Sequence, residues 1–390
     1  MAGTVLLAAA ALTACSGGSD GGGDDKGKAD AKPKAPMAVS VNLTGDQVKA
    51  GQPVTVTVAE GKLAQVKVTD AKGAELPGKI ADDGRTWTSE RNAPAGAEYK
   101  VEAQDTQSQS ATTQFRTSAA DKVNKVAINI SKGSTVGVAM PVSLVFDNPV
   151  TNKAEVEKQL KVTTSDNTEG SWGWIKDHSG NDRVDWRPKD YWKSGTDVKV
   201  EMKLNGVDSG KGGGMFARDY STEFKIGKDR RIQVSLDTKK MSVTQDGQAL
   251  KTIPVSAGTP GGKKASWSGK MVIMSKEGTI RMDSQTVGLD NAYDKMVDYS
   301  MRLTWSGMYA HAAPWNSGNF GRVNSSSGCV GMSDADAKDF FAQSQVGDPF
   351  EVVGEGSKGQ ADIGNGYGEW NLGWDEWKTK SALSGAPQNG

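Results

Sequence analysis

The residues able to do chemistry sit together in one stretch, residues 308–332, which reads MYAHAAPWNSGNFGRVNSSSGCVGM. It holds His311 and, eighteen positions later, Cys329; the chain has two histidines and two cysteines in all, and the other cysteine is Cys15. An unpaired thiol in a secreted protein asks for a reason. A nearby imidazole is one, because it draws the thiol toward the thiolate, the form that attacks carbonyls. The flanking residues suit that use. Gly328 and the serines at 325–327 are small enough for backbone and substrate to approach closely, and amides beside such a turn could donate to the oxyanion formed in acyl transfer.

These two side chains need a scaffold, and the surrounding sequence predicts a β one over residues 229–354. Residues 241–244 and 250–253 alternate in polarity around Gln245-Asp246-Gly247-Gln248, a strong hairpin signal. The second strand runs on into a Gly-rich loop with Lys263 and Lys264, and further strands are expected at 271–274, 302–305 and 350–353. Ser333 is placed to cap a helix over 334–343 that buries Ala337, Phe340 and Phe341. The remaining residues, 355–390, form a tail in which Trp370, Trp374 and Trp377 are spaced like an aromatic flap packed on the catalytic sheet, with carbohydrate stacking as the other use of such rings.

Upstream lies a repeat. Trp87, Gly96, Tyr99, Val101 and Glu102 recur as Trp186, Gly195, Val198, Val200 and Glu201, 99 residues later. A period near 100 residues with short alternating strands predicts two immunoglobulin-like β-sandwich modules, residues 37–120 and 121–228. Trp87 and Trp186 are expected in their cores. His178 falls in a polar turn with no His or Cys beside it, so no metal role is assigned to it, and no metal or cofactor is expected anywhere in the chain.

At the N-terminus, residues 1–15 read as a signal peptide: a short apolar run too brief to span a bilayer, ending in Leu12-Thr13-Ala14-Cys15. Those four residues resemble a bacterial lipobox, which implies that Cys15 is lipidated and the protein anchored to the outer face of the cell membrane. Residues 16–36 are Gly-, Asp- and Lys-rich, too poor in apolar side chains to fold, and read as a flexible tether. With 47 basic and 47 acidic residues the formal charge is zero, and no electrostatic footprint for nucleic acid is present.

The run His311-Ala312-Ala313-Pro314-Trp315 followed by Ser326-Ser327-Gly328-Cys329-Val330 resembles the catalytic signature of the L,D-transpeptidases of bacterial cell walls. The order of modules resembles the actinobacterial lipoprotein members, so the likeness covers nearly everything from residue 37. It implies a mainly β fold, with two immunoglobulin-like sandwiches, a catalytic β-sandwich bearing one short helix, and a Trp-rich C-terminal segment. It also implies a cysteine acyltransferase within the cell wall. In that family the residue matching Cys329 attacks the third residue of a tetrapeptide stem, expels D-alanine, and passes the acyl group to an amine of a second stem as a 3→3 cross-link. By the same resemblance His311 is the base, the Ala312 carbonyl orients its ring, and Gly328, Cys329 and Ser327 surround the oxyanion. Tyr293, Trp315, Met282 and Ser326 contact the stem, and carbapenems are expected inhibitors.

Two positions depart from the family pattern. Ser327 stands where most members have histidine, and Gly331 where the residue is often polar or basic. A serine donates a hydrogen bond but does not titrate near neutral pH, so oxyanion stabilisation is expected to be weaker. Hydrolysis at the same site, as a carboxypeptidase or endopeptidase, and a wall-binding lipoprotein with an impaired site are the alternatives this opens. Papain-like peptidases place Cys before His, and sortases need an arginine after the cysteine; neither fits.

Overall fold

The computed structural model describes residues 37–384; the signal peptide, Cys15, the tether and residues 385–390 lie outside them. Within it the chain forms two compact units, the first made of residues 37–123 with 205–208 and 214–218, the second of the rest.

The first unit is a sandwich of two four-stranded sheets. Pro53–Val58 and Leu63–Asp70 alternate in polarity, and their inward valines meet Trp87, Tyr99, Val101 and Phe115 in one apolar core.

The second unit begins with another pair of four-stranded sheets, built from residues 126–226. Here the repeat becomes physical: Trp186, like Trp87, is buried, Val198 and Val200 point inward as Tyr99 and Val101 do, and the glycines at 96 and 195 both take positive φ, 68° and 86°. Trp186 packs on Trp192 with centroids 5.0 Å apart. His178 is an exposed turn residue.

The catalytic part of this unit has nine strands, here numbered in order: β1 Arg230–Ser235, β2 Lys240–Gln245, β3 Gln248–Pro254, β4 Gly269–Val272, β5 Ser275–Asp283, β6 Asp294–Arg302, β7 Tyr309–Ala312, β8 Val330–Met332 and β9 Pro349–Val353. They form a five-stranded sheet, β3-β2-β1-β9-β4, and a four-stranded one, β5-β6-β7-β8. Val234, Met241 and Phe350 of one meet Met301, Ala310 and Val330 of the other in a single core. The β2–β3 hairpin turns at Asp246 and Gly247, both with positive φ, as Asp-Gly demands. Helix α1, Asp334–Gln343, is capped by Ser333, whose Oγ accepts from the Asp336 N–H at 3.1 Å. It buries Ala337 and Phe340, while Phe341 is only partly covered.

Two expectations are corrected. The strand expected at 302–305 instead ends at Arg302, and its length lies N-terminal, in β6. The long β5–β6 hairpin has no alternating pattern to announce it because both of its faces are largely solvated. The tryptophans of the tail do not dock on the catalytic sheet. Trp377 is fully buried against the second sandwich, its Nε1 donating to Ser171 O at 3.0 Å, and Trp370 donates to Ala139 O at 2.8 Å. The close fit rests on Gly173, where a Cβ would come within 2.6 Å of the Trp377 ring. Arg187 of the sandwich faces the rings of Trp370, Trp374 and Trp377 at 4.9, 5.4 and 5.4 Å, which gives these aromatics a packing and cation–π role. Between them Asn371 ties the tail to β4: its Oδ1 accepts from Lys270 N at 2.7 Å and its Nδ2 donates to Lys270 O at 3.0 Å.

Candidate active site

Strands β7 and β8 run parallel, with Ala310 opposite Val330 and His311 opposite Gly331. Side chains two apart on a strand share a face, so His311 lies on the same side of β7 as Tyr309. Cys329 immediately precedes β8. His311 and Cys329 both line one cavity of about 190 Å³, together with Met282, Tyr293, Trp315 and Ser327. Ser326 lines it as well, whereas Gly328 and Ala312 do not.

The imidazole is fixed. His311 is 5% exposed, and its Nδ1 lies 2.6 Å from the Ala312 carbonyl. A carbonyl can only accept, so Nδ1 carries a proton and Nε2 of the neutral ring is left with its lone pair. Burial holds the ring below its usual pKa of 6.5, with the Ala312 carbonyl opposing that shift. Trp315 stacks beside it, centroids 6.1 Å apart, and is itself half exposed, with the Lys295 ammonium 4.4 Å from its ring.

The thiol is equally enclosed. Burial pushes Cys329 up to about 11, against the Tyr309 backbone N–H, which lowers it. The resting sulfur is therefore a protonated thiol and donates to Gly307 O at 3.7 Å. This corrects the expectation that the imidazole holds the sulfur as a thiolate: burial outweighs the opposing Tyr309 backbone, and the pair at rest is neutral. Tyr293, half-buried, is pushed up to about 12, first by burial and then by the neighbouring Cys329.

Hydrogen bonds that the sequence did not announce hold the loop before Cys329. Ser266 Oγ donates to Gly328 O at 2.7 Å and accepts from Gly258 N at 2.9 Å. Ser326 Oγ donates to Cys329 O at 2.6 Å and accepts from the Gly328 N–H at 3.2 Å. The Gly328 amide is thus already engaged, and Ser326 acts as a brace for the loop. Buried Asn324 joins it to the β1 end by donating to Leu236 O at 2.8 Å while accepting from Ala257 N at 3.1 Å. On the other side, Asn365 of the tail receives Ser306 N and donates to Ser306 Oγ, both at 2.8 Å, next to the Gly307 carbonyl that faces the thiol. No local pattern marks Ser266, Asn324 or Asn365, since each makes a bond that spans 59 or more residues.

Gly331, the second departure, has a steric reason. A Cβ there would approach the Ala313 Cβ to 2.9 Å, so a side chain opposite His311 requires Ala313 to move. Among the described residues no group of His, Cys, Asp and Glu is placed to hold a metal ion, and no helix is long and apolar enough to cross a membrane.

Comparison with known proteins bears on the same strands. Residues 45–208 match the bacterial Ig domain family, and residues 229–352, which include His311 and Cys329, match the L,D-transpeptidase catalytic domain. The chain is 32% identical to L,D-transpeptidase 2 of Mycobacterium tuberculosis over 358 residues, covering 90% of this chain and 85% of that one. It is 33% identical to L,D-transpeptidase 1 of the same species over 232 residues, 58% of this chain and 84% of the relative. A solved L,D-transpeptidase in complex with imipenem superposes with a TM-score of 0.50 at 34% identity, over 60% of this chain and all of that one. A relative this similar along nearly the full length, together with a catalytic-domain match laid over the strands that carry the imidazole and the thiol, shows that this chain belongs to the L,D-transpeptidase family.

Proposed function

We propose that this protein forms 3→3 cross-links in peptidoglycan by two acyl transfers through a Cys329 thioester, with His311 as the base. The observation that carries the reading is the neutral, buried pair in one cavity, with the His311 proton held on Nδ1 by Ala312 O and Nε2 left able to accept. Nε2 takes the thiol proton as Sγ attacks the carbonyl of the third stem residue. The C–N bond to D-alanine then breaks, and its nitrogen leaves with that proton. An acceptor amine repeats the sequence in reverse and frees the sulfur. The Cys329 amide and Ser327 face the developing oxyanion; the Gly328 amide joins them only by giving up its 3.2 Å bond to Ser326. Met282, Tyr293 and Trp315 form the walls against the stem, with Lys295 and Asn316 as further lining residues that could meet its carboxylates and amides.

On this reading Cys15 carries a lipid, residues 16–36 are the tether, and the sandwiches at 37–120 and 121–228 set the distance from the membrane to the catalytic domain at 229–354, which the tail from 355 braces. Carbapenems acylate Cys329; the imipenem complex of the relative supports this. Incubation with tetrapeptide muropeptides tests the function: dimers are expected, released D-alanine matching them. Tripeptide monomers alone would identify a hydrolase, and no product or carbapenem adduct an impaired site.

A further inference from the structure

Apart from the thiol cavity, the starts of β1 and β5 and the end of α1 build a cleft with an unusual charge balance. It encloses about 950 Å³ and is lined by Lys228, Arg230 and Lys276, with Gln245, Gln343 and Ser344 among the other walls and no carboxylate. None of these residues lines the thiol cavity.

Arg230 and Lys276 hydrogen-bond only to neutral groups, and the one carboxylate both of them feel is Asp348. Arg230 is 9% exposed and donates to Gln245 Oε1 at 2.8 Å. Lys276 donates to the Ser344 carbonyl at 2.8 Å and lies 4.6 Å from the Phe341 ring centroid. Neither forms an ion pair within 4.0 Å among the described residues, and the same holds for exposed Lys228. None of the carboxylates nearby makes an ion pair with these cations, although Asp339 and Asp348 feel Arg230 at longer range. Asp229 grips Arg231 through two bonds of 2.8 Å, and Asp339 faces Lys251 at 3.2 Å. Asp348 is fully buried, accepts from Gln345 N at 2.8 Å, and is pushed up to about 7 by burial in spite of Arg230 and Lys276. Burial thus weakens it as a counter-ion, and one carboxylate does not balance three cations. Ser344 Oγ, also buried, has no hydrogen-bond partner.

A guanidinium withdrawn from water with no ion pair within 4.0 Å is costly, and a fold that keeps one beside two more cations gains by closing them on a negative ligand. Arg presents a fork that matches tetrahedral oxyanions, and Lys adds point charge. Three positive charges exceed what one carboxylate neutralises, and the volume admits more than one anionic group. We propose that this cleft binds a ligand bearing two or more phosphate groups, gripped by Arg230 and Lys276 with Lys228 at the rim. The source is either a soluble oligophosphate or a phosphodiester polymer.

The test is calorimetric titration of the full chain with tripolyphosphate, poly(glycerol phosphate) and citrate in physiological salt. Saturable binding of tripolyphosphate is expected, weakened about tenfold or more by Arg230→Gln or Lys276→Gln and severalfold by Lys228→Gln, with Lys161→Gln in the second sandwich without effect. Lys228 is exposed, so its replacement leaves the fold intact and keeps the test valid should the buried variants misfold, which circular dichroism would show. Binding of the polymer with the same pattern of losses identifies it as the occupant; binding of tripolyphosphate alone identifies the soluble source. Citrate binding as tightly as tripolyphosphate, absence of binding, or binding indifferent to all three replacements overturns the proposal.

Discussion

A neutral imidazole beside a neutral thiol behaves differently from an ion pair, and the difference is measurable. His311 is base-competent wherever its ring is neutral, which burial extends below the usual 6.5, and Cys329 keeps its proton until about 11. The rate of Cys329 acylation should therefore be flat from about pH 7 to about pH 9 and fall only in acid, with a midpoint below that of free histidine. Linkage gives the same sign for stability: the folded-state pKa of His311 is depressed, so its contribution is present above the unfolded value and lost as pH falls through the folded one. An acid midpoint above 6.5, or a thiolate absorbance in the resting protein at neutral pH, would contradict this. Replacing Cys329 by Ala is expected to remove activity, and His311→Gln to reduce it on the order of 10³-fold or more, with folding unchanged. The proposed nucleophile and base stand out in the sequence because each is nearly alone of its kind. Their protonation state does not, because desolvation depends on what the fold packs over the site.

The elements that hold these residues fail in ways that can be separated. Ser266, 1% exposed, satisfies Gly258 N and Gly328 O at once, so Ser266→Ala leaves one buried and one part-buried group without this partner. That should cost about 1–3 kcal/mol in denaturant unfolding and lower kcat more than it raises KM, because the peptide before Cys329 loses its anchor. Trp377→Ala removes a fully buried ring from the second sandwich and should cost about 3–5 kcal/mol, leaving the pH profile of acylation unchanged. A third case lies where the tail meets that sandwich. Glu369 is fully buried with neither oxygen hydrogen-bonded, and at 3.9 Å it shares Arg183 with Asp185, which holds the arginine in a bidentate pair. Burial and then Asp185 raise its pKa. A raised carboxylate stabilises the fold at pH below its unfolded value and loses that as pH rises through the folded one. Glu369→Gln should flatten the dependence of Tm on pH between acid and mildly alkaline solution; an unchanged slope would refute the assignment. The Asp-Gly hairpin and the Ser333-capped helix could be read locally, since turn and cap chemistry act within four residues. The β5–β6 hairpin and the seat of the Trp-rich tail could not: one is largely solvated over most of its length, and the other depends on Gly173, some 200 residues upstream of Trp377.

For the molecule as a whole, the repeat of Trp87 and Trp186 made the modular plan visible, because each sandwich needs a large ring at the same depth of its core. The first unit has its own apolar core, and every residue assigned to the thiol cavity lies in the second. Deleting residues 1–120 should therefore leave acylation of Cys329 within about threefold of the full chain; a loss on the order of tenfold would give the first sandwich a part in the site. The central claim concerns the bond made at sulfur. Mass spectrometry of the protein incubated with a tetrapeptide stem tests it most directly. A covalent acyl adduct on the peptide containing Cys329, short of the donor mass by one D-alanine and discharged by an added acceptor amine into a cross-linked dimer, is the result the account predicts; no adduct in the wild type, or the same adduct in Cys329→Ala, would contradict it.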